Sequence, residues 1–163
     1  MTDAEAKAAY GCAKGEMTAA YAKSGVAVAA MYPSWTNYAN NPYPSATHGG
    51  RYVNNYANAR GHDYAKYENV GAMPVGSVLA KDSFAVNAKG RVTIGPLFLM
   101  EKMPAGFNTE FGDWRYSMIM PNGSVFGSTG GAGSKKVQFC ADCHSVVGED
   151  QDHLYFLPEE YRR

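Results

Sequence analysis

The first stretch of the chain repeats apolar positions at helical spacing. Tyr10, Ala13, Met17, Ala20 and Tyr21 fall three or four residues apart, alanine is frequent between them, and Thr2 or Asp3 stands where a cap belongs. This pattern predicts a helix over residues 3–23, weakened at Gly25, with residues 26–31 able to prolong it. Periodicity is then lost. Pro33, Pro42 and Pro44, with scattered Asn, Ser and Gly, predict a long irregular connection over 32–50 rather than a domain linker. Residues 51–58 read as a strand or extended segment, and 62–69 as a short polar helix.

After Met73-Pro74 the period changes to two. Residues 77–86 alternate, 91–103 alternate with a break at Pro96, and 114–120 alternate again before the turn Pro121-Asn122-Gly123 and a returning segment over 124–127. Adjacent strands with short connections imply an antiparallel sheet. A glycine-rich loop over 127–133 follows, with Ser134 as the predicted N-cap of a helix starting at Lys135. That loop is not a phosphate cradle, because Ser134 follows Gly133 where the motif demands Lys. No internal repeat is visible. The expected fold is α+β: one domain over 1–163, built as an antiparallel β-sheet with flanking helices, the first over 1–31 and the last near the C-terminus.

Composition narrows the class. The chain has 163 residues, 15 Lys+Arg against 15 Asp+Glu, 45% hydrophobic and 18% charged residues, which describes a globular chain and not a disordered one. The neutral balance argues against a nucleic-acid partner, and Lys135-Lys136 is too short a basic run to change that. Asp3, Glu5, Lys7, Lys14, Glu16 and Lys23 interrupt any apolar leader segment in the first 25 residues.

Three cysteines are too odd a number for a closed disulfide framework, and their spacing matters more. Cys140-Ala141-Asp142-Cys143-His144 is the C-x-x-C-H pattern of c-type haem attachment. On a helix, residues three apart share a face, so both thiols reach one porphyrin and His144 reaches its iron. A thioredoxin-like pair would want a βαβ context, and a zinc site would want a fourth ligand that only Cys12 or His153 could supply. Cys12 itself reads as a small buried helix residue, with an intermolecular disulfide as the alternative.

The opposite side of such an iron decides function, and strand parity leaves it open. Leu79, Lys81, Ser83 and Ala85 share one face, where Lys81 by itself reads as a solvated lysine. Leu97, Leu99, Glu101 and Met103 share a face too, so Glu101 is either at a strand end in water or a buried carboxyl with a raised pKa. Met100, Met103, Met118 and Met120 are available as thioether ligands, but methionine on half-buried strands is more often core filler. His48, His62 and His153 read as loop residues making backbone hydrogen bonds. The 12 tyrosines read as amphipathic packing residues.

Several segments in order resemble one family. They are Thr47-His48-Gly49-Gly50-Arg51-Tyr52-Val53-Asn54, Val75-Gly76-Ser77-Val78-Leu79-Ala80-Lys81, Phe98-Leu99-Met100-Glu101-Lys102, Gly112-Asp113-Trp114-Arg115-Tyr116, and Phe139-Cys140-Ala141-Asp142-Cys143-His144 leading to Phe156-Leu157-Pro158-Glu159. Over roughly residues 46–162 the chain resembles the lysine-cross-linked c-type cytochromes called cytochrome P-460, related to the β-sheet cytochromes c-prime. The resemblance implies one haem c held by Cys140 and Cys143, His144 as the iron ligand, an open distal site and a homodimer. It also implies that Lys81 is the residue cross-linked to the porphyrin and that Glu101 is the distal carboxylate.

The resulting expectation is an oxidoreductase that oxidises hydroxylamine to a nitrogen oxide, with Glu101 taking a proton and electrons leaving to an external acceptor such as another cytochrome. Two other readings compete. One is a five-coordinate cytochrome that binds nitric oxide or carbon monoxide without turnover; the other is a six-coordinate electron carrier using a methionine such as Met100 or Met103. Attachment of c-type haem outside the cytoplasmic membrane makes the expected location periplasmic, with a signal peptide absent from this chain.

Overall fold

A computed structural model describes residues 1–163. The helical stripe folds as read: α1 spans Asp3–Ala22, and Tyr10, Ala13, Met17, Ala20 and Tyr21 are all buried. Thr2 closes a capping box with Glu5, each satisfying a backbone N–H that the first turn leaves free. After a break at Gly25, α2 (Ala27–Met31) is a separate short helix. Cys12 departs from the reading. It is exposed, because it lies one position away from Ala13 and so off the buried stripe.

The sheet is antiparallel throughout. Its strands are β1 (Thr36–Asn37), β2 (Tyr43–Ser45), β3 (Arg51–Ala57), β4 (Val78–Val86), β5 (Val92–Ile94), β6 (Leu97–Lys102), β7 (Trp114–Ile119) and β8 (Val125–Ser128). The main path runs β1-β3-β4-β6-β7-β8, with β2 added to β3 and β5 added to β4. The α+β class with an antiparallel sheet is therefore present. Two strands fall inside the predicted irregular connection. At two and three residues β1 and β2 are too short to show alternation, and both sit at an edge of β3, where Pro44 removes no essential ladder bond.

Strand parity divides the interior into two apolar layers. On one face α1 packs Tyr10, Met17 and Tyr21 against Phe84, Leu97, Leu99 and Ile119. On the other, Val53, Ala57, Trp114 and Tyr116 pack with Leu154 and Leu157 of the C-terminal segment. The segment over 62–69 lies within a 3-10 helix, Ala59–Asn69, and Tyr64 from it joins the second layer. No helix is long and apolar enough to cross a membrane.

The first layer contains a fully buried carboxyl. Asp82 occupies the apolar face of β4 between Ala80 and Phe84, and it accepts from Tyr10 (2.7 Å), Tyr32 (3.2 Å) and the Asn54 amide (3.1 Å). Burial pushes its pKa up and these donors oppose that shift. Asp82→Ala strands the donors in an apolar layer, so unfolding in urea should show a loss of about 3 kcal/mol. Asp82→Asn keeps an acceptor there and should lose clearly less.

Candidate haem and ligand cavity

The glycine-rich loop leads into the C-x-x-C-H segment, but Ser134 is not its cap. Gly133 holds the cap position at φ +68°, and Ser134 Oγ instead accepts from the Gly130 N–H at 3.1 Å. A 3-10 turn, Ser134–Val137, then continues as α3 (Gln138–His144), which carries all three pattern residues. The three cysteines are free thiols. Cys140 is half-buried with its pKa pushed up to about 11 by burial, whereas Cys143 is exposed.

His144 is held in one tautomer. Its Nδ1 lies 2.7 Å from the backbone oxygen of His153, and a carbonyl only accepts, so Nδ1 carries the hydrogen. Burial pulls the pKa down to about 4, opposed by that hydrogen bond, and the ring is neutral with its lone pair on Nε2. Tyr116 and Tyr155 flank the ring at centroid distances of 5.3 and 5.4 Å. This is the arrangement in which an outer acceptor orients a metal-binding imidazole.

The supporting carbonyl comes from a bend that the sequence reading missed. Asp152 and His153 both have positive φ, +47° and +60°, which turns the His153 oxygen back toward α3. The bend is pinned at three points. The Asp152 carboxylate pairs with Lys102 and accepts from the Met73 N–H at 2.8 Å, while its backbone oxygen accepts from Trp114 Nε1 at 2.8 Å. Gly112 leaves the room, since a Cβ there would lie 2.6 Å from the His153 ring. Asp152→Ala leaves the Lys102 ammonium buried and unpaired, so stability should fall by about 3 kcal/mol. In the same variant the His144 Nδ1–H signal should exchange faster with water in proton NMR, because its acceptor is no longer held.

His144, Cys140 and Lys81 line one cavity, together with His48, Phe98, Met100 and Tyr116. The cavity volume is about 60 Å³, and it opens to solvent on one side. Lys81 corrects the parity reading, for it is not a solvated surface lysine. Burial alone lowers its pKa to about 8, and its ammonium makes no ion pair or hydrogen bond to the protein. Tyr116 contributes a buried hydroxyl with no partner.

Glu101 is elsewhere. Opposed residues of an antiparallel pair share a face, and the register sets Lys81 against Phe98 but Val78 against Glu101. Glu101 therefore points to the α1 side of the sheet, away from the cavity, with the Arg115 guanidinium 3.9 Å away. Burial still raises its pKa, against the lowering effect of Arg115, but it faces no cavity atom. The structure thus joins Lys81, Cys140 and His144, leaves Cys143 in solvent outside the cavity lining, and separates Glu101. Met100 reaches the cavity wall; Met103, Met118 and Met120 do not.

The alternatives for the cysteine pair can be weighed on this geometry. No group of three or more His, Cys, Asp or Glu side chains is gathered to hold a metal ion, and the antiparallel sheet lacks the βαβ unit of a thioredoxin-like pair. The donors present fit haem c: two thiols three residues apart, a neutral imidazole with a free lone pair, and an apolar cavity containing an unpartnered hydroxyl. The fold is α+β, with an apolar cavity on the face of the sheet opposite its N-terminal helix. No protein-family model matches the chain, and no curated protein matches it.

Proposed function

We propose that this chain is a mono-haem c-type cytochrome of the cytochrome P-460 kind, acting on a small nitrogenous ligand, with hydroxylamine oxidation as its reaction. The observation that carries the reading is the His144 tautomer: an imidazole inside a C-x-x-C-H segment, neutral and fixed by the His153 carbonyl, with Nε2 unpartnered at an apolar cavity. Cys140 and Cys143 would form the thioether bonds and His144 would ligate the iron. Haem bound there supplies an exchangeable coordination position and accepts electrons one at a time.

The chain's own residues shape what that position receives. Leu79, Phe98 and Met100 keep the cavity apolar and Lys81 contributes a desolvated amine beside it. With its pKa near 8, a larger fraction of Lys81 is the neutral nucleophilic amine at neutral pH than for a free lysine; a lysine–porphyrin bond formed by that amine would replace a porphyrin C–H bond, releasing two protons and passing two electrons to an external oxidant such as hydrogen peroxide. Electrons would pass to an external acceptor such as another cytochrome, and the family resemblance supports a homodimer. Haem attachment of this type supports a periplasmic location.

A second reading has an observation in its favour. With Glu101 on the other face, no carboxylate lines the cavity, which suits reversible binding of nitric oxide or carbon monoxide without proton transfer to an acid. One experiment separates the two. The purified holoprotein is mixed with hydroxylamine and an artificial electron acceptor, and hydroxylamine is measured over many turnovers. Sustained consumption supports the oxidase; reversible gas binding with no consumption supports the gas-binding cytochrome; and a chain isolated without covalent haem removes both.

A further inference from the structure

The cavity holds a second imidazole that neither reading uses. His48 ends the 3-10 turn Ala46–His48, and Gly49 and Gly50 follow at φ +76° and +65°. These left-handed steps reverse the chain into β3, and at Gly49 a Cβ would meet the Arg51 guanidinium. The His48 ring is thereby laid against Phe98, with 4.8 Å between centroids. Phe98 is the cross-strand partner of Lys81, so His48 walls the same cavity from a part of the chain remote from α3.

Hydrogen-bond accounting places the proton on this ring. Nδ1 lies 2.8 Å from Ser45 Oγ and 3.2 Å from Thr47 Oγ1. Ser45 is buried, and its hydroxyl has no other acceptor in reach. An unsatisfied buried donor is expensive, so Ser45 donates to Nδ1. Burial, reinforced by the ammonium of Lys81, holds the ring pKa far below its ordinary value and keeps it neutral. A neutral ring that accepts at Nδ1 carries its hydrogen on Nε2, and Nε2 makes no hydrogen bond to the protein. His144 is the reverse case, donating at Nδ1 and bare at Nε2. One cavity is thus offered a lone pair by one histidine and an N–H by the other.

We propose that His48 is the distal hydrogen-bond donor of this site, its Nε2–H directed at the electronegative atom of a small anionic or strongly polarised ligand held in the cavity. The proposal rests on the haem reading and deepens it by naming the ligand class. It gives His48 the polar contact that Glu101 cannot make from the opposite face. It also distinguishes His48 from a second axial ligand, which would need a bare Nε2.

Two measurements test it. Nitrogen-15 spectra at neutral pH, recorded on the chain with and without haem, should show His48 protonated at Nε2 and bare at Nδ1; the opposite tautomer overturns the proposal in either form. Fluoride is then titrated into the ferric holoprotein. His48→Leu should weaken fluoride binding about ten- to a hundredfold, the worth of one hydrogen bond to a charged acceptor, and His48→Gln should recover part of it. Equal fluoride affinity in wild type and His48→Leu overturns the proposal. So does a low-spin bis-imidazole ferric spectrum that becomes high-spin in His48→Leu, since His48 would then be a ligand. A chain carrying no covalent haem yet showing the expected tautomer overturns the haem reading, and the ligand class with it, while leaving the hydrogen-bond accounting correct.

Discussion

Replacing Cys140 and Cys143 together by serine is expected to abolish covalent haem attachment. The wild-type chain should keep its colour through acid and organic extraction and through denaturing electrophoresis, and the double variant, made in a Lys81→Met background so that no lysine bond can hold the haem, should lose it completely. The effect is all-or-none because thioether bonds, unlike axial ligation, survive unfolding. The two thiols are three residues apart on α3 but differ in setting: Cys140 stands on the cavity wall and Cys143 in solvent. Each single serine variant should therefore retain one bond and remain coloured on the gel. Colour that survives extraction in the double variant would rule out attachment through this segment.

The second large effect concerns Lys81. In the haem-free chain, Lys81→Met should raise stability at pH 7 by about 3 kcal/mol, from a displacement of the amine from 10.5 to about 8. The sign follows from burial, which disfavours the ammonium and so makes the folded chain release the Lys81 proton more readily than the unfolded chain. The wild-type penalty is complete below pH 8 and fades as pH rises through 10.5, above which both states are neutral. The gain of Lys81→Met should accordingly be full at pH 7 and small at pH 10.5, as read from urea midpoints. An equal gain at both pH values would assign it to packing instead of charge. A lysine that weakens its own fold and has no structural partner is consistent with a site residue kept for chemistry.

Much of this molecule was legible in residue order, for identifiable reasons. The α1 stripe, the capping residue Thr2 and the strands over 78–86, 97–102 and 114–119 follow from local spacing, which a single chain displays directly. Asp82 went unread, although its even position between Ala80 and Phe84 places it on the apolar face of β4. The C-x-x-C-H segment is complete within five residues. What failed were the inferences that cross strands or loops. Lys81 and Glu101 each lie on a recognisable strand, but whether they share a face depends on the pairing of β4 with β6.

By itself, then, the sequence determined the α+β class, the helical stripe, the period-two segments and the chemistry of the attachment pattern, because each is encoded within one stretch of chain. Tertiary structure alone decided which residues meet. The β4–β6 register set Lys81 beside Phe98 and sent Glu101 to the opposite layer. The bend at Asp152 and His153 brought a carbonyl to His144 across nine positions, and the Gly49-Gly50 reversal carried His48 to the same cavity from the other end of the chain. The reason is geometric: side-chain period is local, but register and loop reversal are set by packing between distant segments, and a shift of one residue exchanges the two faces of a strand.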